Sequence, residues 1–269
     1  MNPNKIPSIS IIIATKNEQE NIERCLKSIK AQSIPAEIIV VDNFSEDNTL
    51  QIAKVYTQNV YKSGPERSAQ RNFGLKKAHG QYVLFLDADM ELSPTLLKEC
   101  RQKMQKNAKI SGIVIDEVAK GRNFLARIKS LEKTLSNKNS QIEAARFFKK
   151  SLVLKLGGYD ENLISGEDWD LSIRAKTFGR FARIKSKIIH HENMSFWQDI
   201  KKKYYYAQNI QKYAKKHPEE FKKQAGYWRF FYLFKKPKII YKNPNAFLGL
   251  ILLKSAQYFA YLLAKSTQR

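Results

Sequence analysis

Cysteine is scarce in this chain, and its two residues, Cys25 and Cys100, stand in no C-x-x-C or metal-binding spacing. That gives no disulfide framework, suits a reducing compartment and leaves both thiols inert. Histidine is nearly as rare: of His79, His190, His191 and His217, only the adjacent pair invites a role. No early apolar run is long enough for a secretory signal core, because residues 9–14 fall short of one. The working domain is therefore expected to face the cytoplasm. Acid is also in short supply, with 25 Asp/Glu against 48 Lys/Arg and a formal charge of +23. From Ser195 onward there are 16 basic and 3 acidic residues, so 16 − 3 = +13 of the excess lies in the last quarter. Such a block points to a polyanion, whether an anionic membrane surface, a phosphorylated substrate or nucleic acid, or else to a merely soluble surface.

What is present suffices for a full core. The chain has 269 residues, 43% of them hydrophobic, and a chain of that size buries roughly 70–75% of its unfolded surface. It reads as one large domain or one domain with an appendage. Residues 8–14 and 37–41 read as buried strands, the second ending in Asp42. Between them, Asn17 followed by Glu20 predicts an N-cap for a helix carrying Ile22, Cys25, Leu26 and Ile29 at helical spacing. A helix over 49–55 and a short strand near Val60 and Tyr61 follow. Strands that are apolar throughout and alternate with helices predict a mostly parallel sheet.

The stretch from Tyr82 to Leu86 is a further buried strand, and it stops at Asp87-Ala88-Asp89. Ligands of open α/β sheets bind outside the carboxyl ends of the strands, so Asp87 and Asp89 are candidates for a pocket, as hard oxygen ligands for Mg²⁺ or Mn²⁺. A solvated turn is the competing reading. Arg67 and Arg71, four apart, share one helical face and either fork onto a diphosphate or line a solvated face. Helices are expected over 95–104 and 123–135, and strands over 111–115, 143–148 and 187–190. After the turn Gly157-Gly158-Tyr159-Asp160, the cluster Glu167-Asp168-Trp169-Asp170 opens a helix running to Thr177. Acids there either complement the helix dipole or supply a general base with a neighbour that orients it.

The basic tail interleaves lysines with aromatics, as in Lys201-Lys202-Lys203-Tyr204-Tyr205-Tyr206 and the run 227–236, a composition selected by anionic membrane interfaces. Residues 247–263 are strongly apolar, but Lys254, Gln257, Tyr261 and Lys265 fall on one stripe. That stripe predicts a helix lying in the interface rather than crossing it, with packing on the catalytic domain or on a dimer partner as the alternative.

The motifs Val40-Val41-Asp42-x-x-Ser45-x-Asp47-x-Thr49, Arg71-Asn72-x-Gly74, Leu86-Asp87-Ala88-Asp89, Gly157-Gly158-Tyr159-Asp160 and Gly166-Glu167-Asp168-x-Asp170-Leu171 occur in this order from about Ser8 to His191. Together they resemble the family 2 glycosyltransferases, inverting enzymes of the α/β GT-A fold. The resemblance implies a GT-A catalytic domain over 1–194, with a donor half to about 110 and an acceptor half over 111–194. A helical, membrane-associating extension would occupy 195–269. It implies a nucleotide diphosphate sugar donor, UDP being the prior, and a divalent Mn²⁺ or Mg²⁺. By similarity Asp42 meets the base or ribose with help from Glu18, Asp87 the nucleotide side of the donor, and Asp89 the metal. Asp168 would be the base, with Glu167 beside it, and His190 a further metal ligand with His191 in reserve.

The first loop departs from the pattern. Ala14-Thr15-Lys16-Asn17 stands where many relatives have Pro-Thr-Tyr-Asn, so Thr15 is retained among the donor contacts but the base is not read from it. A membrane-surface tail on such an enzyme suggests a polyprenyl-linked or other glycan acceptor, with no nucleic acid partner expected. The alternatives are a sugar nucleotidyltransferase, which should carry a glycine-rich basic loop where Thr15-Lys16-Asn17-Glu18 stands, and a nucleic-acid-binding protein, which leaves the acids at strand and helix ends unexplained.

Overall fold

A computed structural model describes residues 8–136, 143–225, 234 and 236–267. The chain forms two compact units, the first built from 1–116, 144–161 and 167–189 and the second from 117–143, 162–166 and 190–269.

The first unit begins with β1 (Ile9–Thr15), α1 (Ile22–Lys30), β2 (Glu37–Asp42), α2 (Thr49–Tyr56) and β3 (Val60–Lys62). It continues with α3 (Arg67–Lys77), β4 (Tyr82–Asp87), β5 (Met90–Leu92), α4 (Leu96–Lys106) and β6 (Ile110–Val114). After β7 (Glu117–Lys120) and α5 (Phe124–Ser136) of the second unit come β8 (Phe147–Lys149), α6 (Lys150–Lys155), α7 (Glu167–Lys176) and β9 (Arg180–Arg183). β10 (Ile188–His191) starts in the first unit and ends in the second.

Seven strands form one sheet in the order β3-β2-β1-β4-β8-β6-β9. β1 pairs in parallel with both β2 and β4, while β8 is antiparallel to both its neighbours. The chain thus winds outward from β1 to β3 and returns to the other side of β1, which makes β1 the switch point where such sheets open a crevice. Every residue of β1 is buried, as the unbroken apolar run requires of a strand covered on both faces. Register then places the polar ends side by side: Thr15 pairs with Asp42, and Ala14 with Asp87.

Two local readings differ from expectation. Residues 143–146 are not strand, and β8 keeps only three residues. Helix α1 starts at Ile22 rather than behind a cap at Asn17, whose backbone is left-handed at φ 53°. Asn17 serves a longer-range purpose: its Oδ1 accepts from the backbone N–H of Glu46 (2.9 Å), and its own N–H donates to Ser45 Oγ (2.8 Å). The side chain that would have capped its own helix locks two loops together instead.

In the second unit β10 is followed by α8 (Phe196–Asn209), α9 (Gln211–Lys216), α10 (Pro218–Ala225), α11 (Pro237–Tyr241) and α12 (Pro244–Ser266). Ser195 and Gln198 close a capping box at the start of α8. Leu125, Ile128, Leu131 and Leu135 of α5 form a core with Ala246, Leu250 and Leu253 of α12. Lys129 joins that core to ions, meeting Glu192 at 2.9 Å and Asp199 at 2.7 Å. Two members of the α12 stripe pack against protein: Lys254 pairs with Glu132 at 2.5 Å and Gln257 donates to Asp199 at 2.7 Å, while Lys265 is exposed. Buried cations need partners, and α5 and α8 supply them. Lys201, Lys202 and Lys203 are exposed on α8, while the aromatic run at 227–233 lies outside the described residues.

Candidate active site

Helix α3 organises the site. Its Gln70 is buried, and the side-chain amide donates to the carbonyls of Thr15 (2.9 Å) and Val41 (2.6 Å), tying the ends of β1 and β2 together. One residue further on, Arg71 has no exposed surface. Its Nη2 meets Asp87 Oδ1 at 2.9 Å, and its Nη1 meets Asp168 Oδ1 at 2.9 Å and Glu167 Oε1 at 3.3 Å. One guanidinium therefore joins the end of β4 to the start of α7. Asn72 holds the next piece, donating to the Tyr159 carbonyl (2.9 Å) and accepting from the Tyr159 N–H (2.8 Å). The Tyr159 ring lies under the Arg71 guanidinium at 5.1 Å, and its hydroxyl donates to Asp168 Oδ1 at 3.1 Å. Gly158, at φ 76°, is required here, since a Cβ would stand 2.4 Å from Asn72 Oδ1.

Arg67 reaches Glu167 Oε1 at 3.3 Å and is about one-third exposed. Asp42 is buried and accepts from the Ser45 backbone N–H (2.8 Å) and hydroxyl. Glu18 enters the same loop cluster through its backbone, which donates to Thr49 Oγ1 at 2.8 Å. Among the described residues, the buried hydroxyl of Thr15 has no hydrogen-bond partner. Asp89 is half-buried in the turn between β4 and β5. His190 belongs to the second unit, where its Nδ1 lies 2.5 Å from Lys133 Nζ and 3.7 Å from Glu117 Oε2.

Arg71 differs from its expected place on a diphosphate: three carboxylates enclose its fork, so it acts on the protein's own acids. Arg67, with exposed surface, is the better placed of the two for an anion. Sequence reasoning missed Arg146, whose Nη1 approaches Asp87 Oδ2 at 3.6 Å, and the role of Tyr159. The only signals were an arginine directly before the aromatic pair Phe147-Phe148 and a tyrosine inside a glycine turn. Asp170, counted with the acidic cluster, is wholly buried and paired with Arg174 at 2.6 Å, a structural role.

Electrostatics follow from this packing. Burial alone would raise the Asp87 carboxyl, but the charges of Arg71, Arg146 and Arg67 outweigh it and hold the group well below the usual carboxylate range. Burial also works against the Arg71 charge, and Asp168, Asp87 and Glu167 more than restore it. Glu167 moves the other way, raised by burial and then by the Asp168 charge. Tyr159 is raised by burial and by Asp168, and so keeps its proton to donate.

A pH dependence of stability follows with opposite signs. Asp87, lowered on folding, stabilises the fold above its unfolded value of about 3.9, and that contribution disappears as pH falls through the lower folded value. Glu167, raised on folding, stabilises below its unfolded value, and the contribution is lost as pH rises through its folded one. Calorimetry between pH 2 and 7 should therefore show Asp87→Asn less stable than the parent at neutrality, by a gap that narrows steadily as pH falls below about 4. A constant gap between the two curves would contradict the pairing.

A divalent cation fits the donor set in one arrangement. Arginines address both oxygens of Asp87, so Asp89 is the member of the pair suited to a hard cation. Among the described residues no three His, Cys, Asp or Glu side chains gather into a metal cluster. One carboxylate with phosphate oxygens and water is a usual way to hold Mg²⁺ beside a nucleotide.

A switch-point crevice edged by Thr15, Asp42 and Asp87, with a carboxylate pair at the start of a neighbouring helix, defines an α/β protein of the GT-A kind. The family described as glycosyl transferase family 2 matches residues 10–156, and this chain belongs to it. It is 28% identical over 224 residues to the glycosyltransferase AglE of Haloferax volcanii, covering 74% of this chain and 71% of AglE. It is 32% identical over 167 residues to the GalNAc(5)-diNAcBac-PP-undecaprenol beta-1,3-glucosyltransferase of Campylobacter jejuni, covering 55% of this chain and 53% of that one. Among solved structures, the mannosyltransferase PcManGT of Pyrobaculum calidifontis, in complex with GDP-Man and Mn²⁺, superposes with a TM-score of 0.62 at 20% identity, covering 99% of this chain and 88% of that one. Staphylococcus aureus TarS 1–349 in complex with UDP gives 0.54 at 22% identity, over 76% of this chain and 65% of that one. At such identities the likeness speaks to the fold.

Proposed function

We propose that this chain is a metal-dependent inverting glycosyltransferase. It moves a sugar from a nucleoside diphosphate sugar, with UDP the expected nucleotide, to a hydroxyl or phosphate of a lipid-linked acceptor. It works at the cytoplasmic face of a membrane. The observation that carries this reading is the shared guanidinium of Arg71, which holds a donor-side carboxylate, Asp87, and the start of α7 with Asp168 in one rigid relation.

The chemistry follows from that relation. Asp42 and Thr15 lie where the base and ribose would rest, and Arg67 offers a cation to the diphosphate. Asp89 would hold Mn²⁺ or Mg²⁺, and the bound cation would neutralise charge gathering on the departing diphosphate. Arg71 and Tyr159 both engage Oδ1 of Asp168, which leaves Oδ2 to take the proton of the acceptor hydroxyl. Attack from the face opposite the leaving group gives inversion. Support for a nucleotide sugar comes from UDP and GDP-Man in the two solved relatives, and for a lipid-linked acceptor from the name of the Campylobacter enzyme. Family membership sets aside the nucleotidyltransferase and nucleic-acid readings.

A screen of nucleotide sugars with Mn²⁺ or Mg²⁺, read as thermal stabilisation and as donor hydrolysis, tests the reading. One donor should stabilise the chain only when a divalent ion is present, and Asp89→Ala should remove that dependence while leaving the melting temperature without ligand unchanged. Silence toward every donor would refute the proposal. Metal-dependent stabilisation persisting in Asp89→Ala would move the cation elsewhere.

A further inference from the structure

Helix α12 is inverted for a helix in water. Its polar members Lys254 and Gln257 point inward to Glu132 and Asp199, and its small and apolar members Ala246, Leu250, Leu253, Ala260 and Ala264 are buried. The opposite face is apolar and open: Leu248 is 61% exposed, Leu252 63%, Phe259 68% and Leu263 56%. Next to it, Ile240 and Tyr241 of α11 with Pro244, Phe247, Leu248 and Ile251 of α12 line an apolar groove of about 600 Å³. An open apolar face of this extent marks an interaction surface.

Charge says what covers it. No aspartate or glutamate follows Glu220, while lysine and arginine recur ten times from Lys222 to Arg269. Lys238 and Lys242 are exposed at the groove end of the face. An apolar face edged by cations and free of acids is complementary to an anionic bilayer, with hydrocarbon under the leucines and phosphates beside the lysines.

We propose that α11 and α12 form a monotopic docking surface for an anionic bilayer, with Leu248, Leu252, Phe259 and Leu263 immersed in one leaflet and α12 lying in its plane. This rests on the membrane-surface reading above and specifies the face that makes contact. α12 has the length and hydropathy to cross a bilayer. Crossing would strip it from α5 and α8 and break the Lys254–Glu132 and Gln257–Asp199 contacts, whereas lying flat keeps both.

The test is sedimentation of the full chain with phosphatidylglycerol–phosphatidylcholine vesicles, comparing the parent with a variant carrying Leu248→Asn, Leu252→Asn and Phe259→Asn. All three side chains are exposed, so the circular dichroism and the rate of donor hydrolysis should not change. The expected result is binding by the parent, release by alkaline carbonate, and at least a tenfold weaker partition for the variant. Equal partition of both would overturn the docking face while leaving membrane attachment standing. No binding by the parent would overturn attachment and docking face alike. Resistance to carbonate would mean a spanning helix, and a parent dimer split by the triple variant without vesicle binding would mean a second copy covers the face. Either result overturns the proposal.

Discussion

Asp168→Asn should lower turnover by about 10²–10⁴-fold, the usual contribution of a general base, while donor-induced stabilisation stays at the parent value. The amide keeps the shape of the carboxylate, and its oxygen can still accept from Arg71 and Tyr159, now 2.9 and 3.1 Å away. What it lacks is the capacity to take a proton. Asp87 and Glu167 remain on Arg71, so the buried cation stays paired and the fold should hold. The decisive measurement is single-turnover transfer at saturating donor with a short-chain acceptor, alongside the thermal shift. Transfer within threefold of the parent would place the base elsewhere. Weaker donor binding together with slower transfer would give Asp168 a donor contact rather than proton chemistry.

Arg71→Ala should do more, because it breaks both halves of the junction. Removing one partner of a buried ion pair costs roughly 3–5 kcal/mol, since the charges left behind have lost water and found nothing. For a chain of this size that corresponds to a melting temperature lower by about 6–20 °C. Turnover measured well below the transition should still fall by about two orders of magnitude, because the base is no longer held in line. A readout independent of folding comes from Asp87, whose carboxyl the arginines hold low against burial. Without Arg71, donor KM should rise between pH 7.5 and 5, where the parent's stays level. Arg71→Lys should recover part of the stability and little of the turnover, for an ammonium is a point charge without the fork that spans Asp87 and Asp168. Full activity in Arg71→Lys would reduce the residue to a counter-charge.

How much of this could be read from the residues differs from one to the next. The run from Tyr82 to Leu86 declares a buried strand by itself, and the strand-end rule then places Asp87 and Asp42 at the crevice, where register confirms them side by side with Ala14 and Thr15. Short-range signals failed where a distant partner took the side chain. Asn17 reads as a helix cap until Glu46 claims it. Arg71 reads as a phosphate ligand until Asp87, Glu167 and Asp168 surround it. These acids lie 16, 96 and 97 positions away in the chain, separations that no local window spans. Arg146 carries no recognisable motif, and the motif that contains Tyr159 does not show that its hydroxyl reaches Asp168. On α12 the periodicity of Lys254 and Gln257 was legible and its direction was not. A polar stripe tells which residues share a face, and only the acids at 132 and 199 decide whether that face meets water or protein.

The glycine turn adds a further consequence. Because Asn72 grips both backbone groups of Tyr159, and Arg71 and the Tyr159 hydroxyl grip Asp168, two successive residues of α3 locate that carboxylate from two directions. If Asp168 is the base, its position is thereby set from helix α3. Segments elsewhere that meet an acceptor would then be able to vary without moving that oxygen. With Asp168 as the base, a chain built on this frame would be able to change what it glycosylates without changing how.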